Sequence, residues 1–121
     1  MEKLKNYDNN YKKEKWKAWE DIVAKDYEKN WYTILERNYY KKWAGELDIV
    51  AENKTSISFI EVKNVDWIDD LFDYISKKKI SRIKKTMSHY LMENPTEKDI
   101  QIDIVFVKNG KIFEAYKNIT F

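Results

Sequence analysis

The 121-residue chain has no cysteine, one histidine, one proline and two glycines. Each shortage removes a class of function. Without cysteine there is no disulfide framework, no thiol nucleophile and no thiolate-ligated zinc or iron–sulfur centre. The single histidine, His89, excludes a multi-histidine zinc site and a two-histidine proton relay. A metal bound by this chain must therefore be a hard cation held by carboxylate oxygens. Two glycines are too few to write GxGxxG or GxxxxGK[ST], which excludes a glycine-rich phosphate loop. No apolar run approaches membrane-spanning length, and the first residues lack the apolar core of a signal peptide. The expected setting is the cytoplasm, with no membrane partner.

What the chain does have is charge. Charged residues make up 36% of it and hydrophobic ones 43%, with 23 Lys and Arg against 21 Asp and Glu, a net +2. That balance does not suit a protein that coats DNA. The total hides clustering. Residues 77–85 hold six basic side chains and no acid, and residues 66–73 hold four Asp and no base. The length suits one domain with a modest core.

Residues 1–13 are polar without a sustained period and read as an irregular lead-in, leaving 14–121 as a single domain. A helix is expected from Glu14 to Lys29, where Trp16, Trp19, Val23 and Tyr27 recur at spacings of three and four. Glu20 borders that stripe, an unusual place for a carboxylate. Residues 31–40, 45–52 and 57–64 read as three strands of an antiparallel meander. A loop follows, with Asp66 or Asp69 as a helix cap, and then a second helix over 71–93 with Ile75, Ile80, Ile83, Met87, Tyr90 and Leu91 on its inner face. Asn94-Pro95 ends it. Residues 100–107 (IQIDIVFV) read as a buried central strand, and Asn109-Gly110 predicts a hairpin into a last strand, KIFEAY. The order is αβββαββ, an α/β or α+β domain with a mixed sheet.

By the strand period of two, Glu46 and Asp48 share one face, as do Glu61 and Lys63. Pairing the two strands brings Asp48 beside Glu61 and Lys63. Two carboxylates at that range repel and are best tolerated with a cation between them. A lysine two residues on can orient or deprotonate a water held on that cation. Metal-assisted phosphodiester hydrolysis needs this set of groups. Taken alone, the same residues also describe a surface cross-strand ion pair.

The pattern Asp–x12–Glu–x–Lys across two strands, preceded by a helix, resembles the PD-(D/E)xK nuclease superfamily. Glu20 with Ala24, then ILERNYY, GELDIVAE, FIEVKN, Lys79-x-x-Arg82-Ile83, Tyr90-Leu91 and IDIVFV resemble the YraN-like family of uncharacterised bacterial proteins, over roughly residues 16–116. The resemblance implies a restriction-endonuclease-like fold related to Holliday junction resolvases. It also implies a Mg²⁺- or Mn²⁺-dependent nuclease acting on DNA or branched nucleic acid and leaving a 5′-phosphate. Carried over residue by residue, it makes Asp48, Glu61 and the Val62 carbonyl ligands of the metal. Lys63 would handle the nucleophilic water, and Glu20 would complete the acidic cluster. Glu46 matches the family's Gly-Glu pair, and Lys79 and Arg82 match basic positions facing phosphates. The chain departs from the pattern at Trp19, where Gly usually precedes the helix Glu, and at Val65, where Arg is usual.

Lys79, Arg82 and Lys85 recur on one side of the second helix, as a nucleic-acid-binding surface requires. Among the aromatics, Trp43, in the turn before the GELDIVAE strand, is the best placed to be exposed and to stack on an unpaired base. Two other readings compete with the nuclease: a nucleic-acid-binding module of the same fold without turnover, and a self-associating protein-interaction domain. A homodimer would also serve the nuclease, because symmetric cutting of a junction needs two active sites.

Overall fold

The computed structural model describes residues 2–65 and 75–119, with side chains from residue 16 onwards. Helix α1 runs Glu2–Lys29, which corrects the expected start at Glu14. The first thirteen residues contain no Gly or Pro, and their Lys and Glu residues favour a helix although the segment shows no sustained apolar period. Apolar periodicity is the main sequence signal for a helix, and a mostly polar segment gives little of it. The helix closes with Tyr32 N–H bonded to the Tyr27 carbonyl at 3.1 Å, while Trp31 takes a left-handed backbone at φ 69°.

Strands β1 (Thr33–Lys41), β2 (Gly45–Glu52) and β3 (Ser56–Asn64) follow as an antiparallel meander. Helix α2 (Lys77–Glu93) crosses over to β4 (Asp99–Lys108), which pairs parallel to β3. Asn109 and Gly110, at φ 51° and 73°, form the tight turn into β5 (Lys111–Tyr116). Both residues have the positive φ that a type I′ hairpin turn demands. The sheet order is β1-β2-β3-β4-β5. This is the mixed sheet expected from the sequence, and the whole is consistent with a restriction-endonuclease-like αβββαββ core.

Helix α2 begins at Lys77, where the Ser76 hydroxyl accepts the Lys79 N–H at 3.1 Å. A serine cap satisfies one of the first-turn donors, so the helix starts later than the expected residue 71. The expected caps Asp66 and Asp69, and residues 71–74, lie outside the described residues.

The helices cover opposite faces of the sheet. Val23, Ala24 and Tyr27 of α1 pack on Ile49, Ala51, Ile60, Val105 and Val107. Ile80, Ile83, Met87 and Tyr90 of α2 pack on Leu47, Phe59, Ile102, Ile104 and Phe106. Strand β4 lies between both layers, and its residues 102–107 are all buried. One of them is Asp103, fully inaccessible, which accepts the Tyr27 hydroxyl at 2.5 Å and the Asn118 N–H at 2.9 Å. A buried carboxylate needs such donors, and here they tie α1 and the chain after β5 to the central strand. Gly45 opens β2 at φ 138°, where a Cβ would meet Thr86 Oγ1 of α2 at 3.3 Å. The glycine lets α2 approach the start of the strand that carries Glu46 and Asp48.

Candidate active site

Strands β2 and β3 stay paired only from Glu52↔Ile57 to Ile49↔Ile60. Beyond that point β2 continues along β1 to Gly45, and β3 continues along β4 to Asn64. The sheet therefore forks, and Asp48 and Glu61 are the first residues past the split. Leu47 and Ile49, two residues apart, pack on opposite faces, so β2 bends at Asp48. A ladder hydrogen bond is lost where the strands part. The Asp48 side chain replaces it, its Oδ2 accepting the Val62 N–H at 2.7 Å. In a strand the N–H and C=O of one residue face the same neighbour, so the Val62 carbonyl also looks into the fork.

The fork opens into a cleft of about 980 Å³. Its walls include Glu46, Asp48, Glu61 and Lys63 from the two strands, Glu20 from α1, and Arg37 and Asn38 from β1. Burial pushes the Asp48 carboxyl up to about 7, and the Glu61 charge adds to it. The Val62 N–H and Lys63 offset this only in part. Glu20 is likewise raised by burial and then by Asp48, against the opposing charge of Arg37. Arg37 Nη2 lies 3.6 Å from Glu20, while its Nη1 holds Asp21 at 2.6 Å. The Asn38 amide, turned to donate, reaches Glu46 Oε1 at 3.0 Å and both Glu20 oxygens at 3.2 Å. The acidic groups are thus crowded and half-desolvated, an arrangement that favours an added positive charge.

Lys63 Nζ lies 3.3 Å from Glu61 Oε1. Burial is the largest single influence and works against its charge, but Glu61, Lys79 and Asp48 together outweigh it and hold Lys63 above the usual lysine range. Lys79, on α2, sits beside it. Burial and the Lys63 charge bring Lys79 down to about 8. The pair splits into one firmly protonated ammonium and one that titrates near neutrality.

Of the residues singled out from sequence, Glu20, Glu46, Asp48, Glu61, Val62 and Lys63 line one cleft, and Lys79 approaches it through Lys63. Arg82 and Lys85 are exposed on α2, away from that lining. Trp43 is 85% exposed in the β1–β2 turn, also outside the lining. Trp16, expected in the buried stripe of α1, is instead 55% exposed and lines the cleft. Arg37 and Asn38 were not anticipated. Neighbours in a regular strand point to opposite faces, but Asn38 at φ 55° breaks the alternation and both reach the cleft. An Asn inside a β-rich run was the available signal, since Asn tolerates the left-handed region. Val65, where the family pattern has Arg, is buried in the core on the α2 side.

The donor set suits a hard divalent cation: two facing carboxylates, a backbone carbonyl and room for water, with oxygen as the ligand atom throughout. Among the described residues, no three acidic or imidazole side chains are already gathered as a ready-made cage. Mg²⁺ needs none, since it is commonly held by one or two carboxylates with several waters.

The model of "Uncharacterised protein family UPF0102" matches residues 19–107. A UPF0102 protein of Helicobacter pylori (strain P12) is 42% identical over 77 residues, covering 64% of this chain and 66% of the relative. The match thus spans just under two thirds of that relative's length. One from Campylobacter jejuni (strain 81-176) is 34% identical over 77 residues, covering 64% and 68%. The matched residues include the β2–β3 fork and most of the elements around it, and the chain belongs to the uncharacterised protein family UPF0102, the YraN-like family its motifs resemble.

Proposed function

We propose that this protein is a Mg²⁺- or Mn²⁺-dependent nuclease that hydrolyses phosphodiester bonds of DNA or branched nucleic acid. The observation that carries the reading is the fork itself. Asp48 and Glu61 meet where β2 and β3 part, Lys63 adjoins Glu61, and Glu20 faces them from α1.

Asp48, Glu61 and the Val62 carbonyl are the residues that would hold the ion. Once bound, the ion supplies Lewis-acid polarisation of a phosphoryl oxygen and a more acidic water. The chain's own groups do the rest. Asp48, which lines the cleft, is oriented by the Val62 N–H on its Oδ2. Lys63, held protonated, donates to the attacking water and to the charge that develops on the phosphate. Lys79, titrating near 8, can take a proton that leaves that water. Glu20, braced by Arg37 and Asn38, bounds the opposite wall. Attack forms the new O–P bond in line with the breaking P–O3′ bond; O3′ leaves and takes a proton from solvent water, giving a 5′-phosphate and a 3′-hydroxyl.

The test is incubation with junction, flap, single-stranded and duplex DNA in Mg²⁺ or Mn²⁺. Cleavage of at least one is expected, and its loss in Asp48→Asn, Glu61→Gln and Lys63→Ala. No cleavage of any substrate, or cleavage that survives Lys63→Ala, overturns the reading. The alternative, a nucleic-acid-binding module without turnover, draws on Val65, buried in the core where the family pattern has Arg, and on Trp19, which stands beside Glu20 where the pattern has Gly. It predicts salt-sensitive binding with no metal-dependent cleavage.

A further inference from the structure

The wall of the cleft that α1 contributes is out of keeping with the rest. Trp16 and Trp19 stand among carboxylates and bases. They do different things. Trp19 packs against the core on the α1 side. Trp16 is 55% exposed, and burial in the core does not account for it. Trp31 and Trp43 are more exposed still, at 89% and 85%, but neither lines the cleft. Isolated exposed aromatics are ordinary on a protein surface; one set in the wall of a charged cleft calls for a ligand.

We propose that Trp16 is a base-stacking platform and that the substrate of this cleft presents an unpaired nucleotide beside the bond to be cut. The proposal rests on the nuclease reading of the Asp48–Glu61 fork and adds the substrate class to it.

Three observations carry it. Trp16 and Glu20 are four residues apart on α1, hence on one face and about 6 Å apart along the axis. That offset is comparable to the separation between a base and its own backbone phosphate, so a base on Trp16 places its phosphate at the acidic end of the cleft. Lys17, the neighbour of Trp16, lines the same cleft and adds a positive charge to the wall that a backbone phosphate would meet. Finally, the net charge is only +2 and Arg82 and Lys85 of the basic cluster lie outside the cleft lining, so stacking adds affinity that those charges do not supply in the cleft. In a continuous duplex both faces of each base are already stacked. A platform can therefore be used only by a single strand, a flap, or the unpaired nucleotides of a branch point.

The experiment reads binding without turnover. Fluorescence anisotropy is measured with a labelled single-stranded oligodeoxynucleotide and with the blunt duplex of the same sequence, using Ca²⁺ in place of Mg²⁺. The wild type is expected to prefer the single strand. Trp16→Ala should weaken single-strand binding by roughly 5- to 150-fold, the range a single base–aromatic stack implies. Trp16→Phe should restore most of it, and duplex binding should hardly change. Because the side chain is exposed, the melting temperature should be the same in all three proteins. Equal affinity of wild type and Trp16→Ala for the single strand overturns the proposal, as does a preference for the blunt duplex. The outcomes also separate the proposal from the reading beneath it. Trp16-dependent binding with no cleavage under any metal overturns the nuclease and leaves the platform. Metal-dependent cleavage of duplex and single strand alike, unchanged by Trp16→Ala, does the reverse.

Discussion

Asp48→Asn should make the metal-free protein more stable while abolishing its proposed chemistry. Burial and the Glu61 charge raise the Asp48 carboxyl from the ordinary 3.8 to about 7. The folded value lies above the unfolded one, so ionisation opposes folding. The penalty is absent below about pH 3.8, grows as pH rises, and is complete above about 7. Roughly three pH units at about 1.4 kcal/mol each set a ceiling near 4 kcal/mol. Asparagine keeps an oxygen for the Val62 N–H, but Lys63 loses a nearby negative charge. The expected gain is therefore about 1–2 kcal/mol, or roughly 4–8 °C in melting temperature for a chain of this size. The assay is thermal unfolding followed by circular dichroism in EDTA, at about pH 8 and about pH 5. The gain should appear at the higher pH and shrink by more than half at the lower, where Asp48 carries a proton in the folded protein. Adding Mg²⁺ should reverse the ranking, because only the wild type retains both carboxylates to bind it. A variant less stable than wild type at both pH values, or a gain independent of pH, would refute the reasoning.

Other outcomes follow from the same geometry. Tyr27→Phe strips Asp103 of its hydroxyl donor inside the sheet and should cost about 1–3 kcal/mol by urea unfolding; an unchanged midpoint would show that the bond contributes nothing. Gly45→Ala places a methyl at a strained φ of 138° and 3.3 Å from Thr86 Oγ1, and should cost about 1–3 kcal/mol in the same assay. Lys63→Ala removes the charge that, after burial, depresses Lys79, so NMR titration should find Lys79 moved from about 8 toward the ordinary lysine range.

The sheet was the legible part of the fold. Residues 45–52 and 111–116 are the strands the pattern predicts, because half-buried alternation and the Asn-Gly turn are local signals. The start of α1 was not legible, since the mostly polar sequence of residues 1–13 has no sustained apolar period to find. The start of α2 was obscured because Asp66 and Asp69 upstream read as caps, whereas the helix is capped by Ser76, at φ −94° and ψ 157°. At the site, Asp48, Glu61 and Lys63 could be brought together from strand spacing and turn length alone. The fork could not, because it depends on where two ladders choose different partners. Arg37 and Asn38 escaped for a related reason: one left-handed residue puts adjacent side chains into one cleft. Trp16 was misplaced because helical spacing says which face a residue shares, but not where the covering sheet stops.

The account turns on a divalent ion between the two strands of the fork, and a crystal soaked in Mn²⁺ tests it most directly. The anomalous difference map should show one strong peak within coordination distance of both Asp48 and Glu61 and close to the Val62 carbonyl. That peak should be absent from a soaked Asp48→Asn crystal. A wild-type map with no peak at the fork, or with manganese bound only elsewhere, would contradict the account.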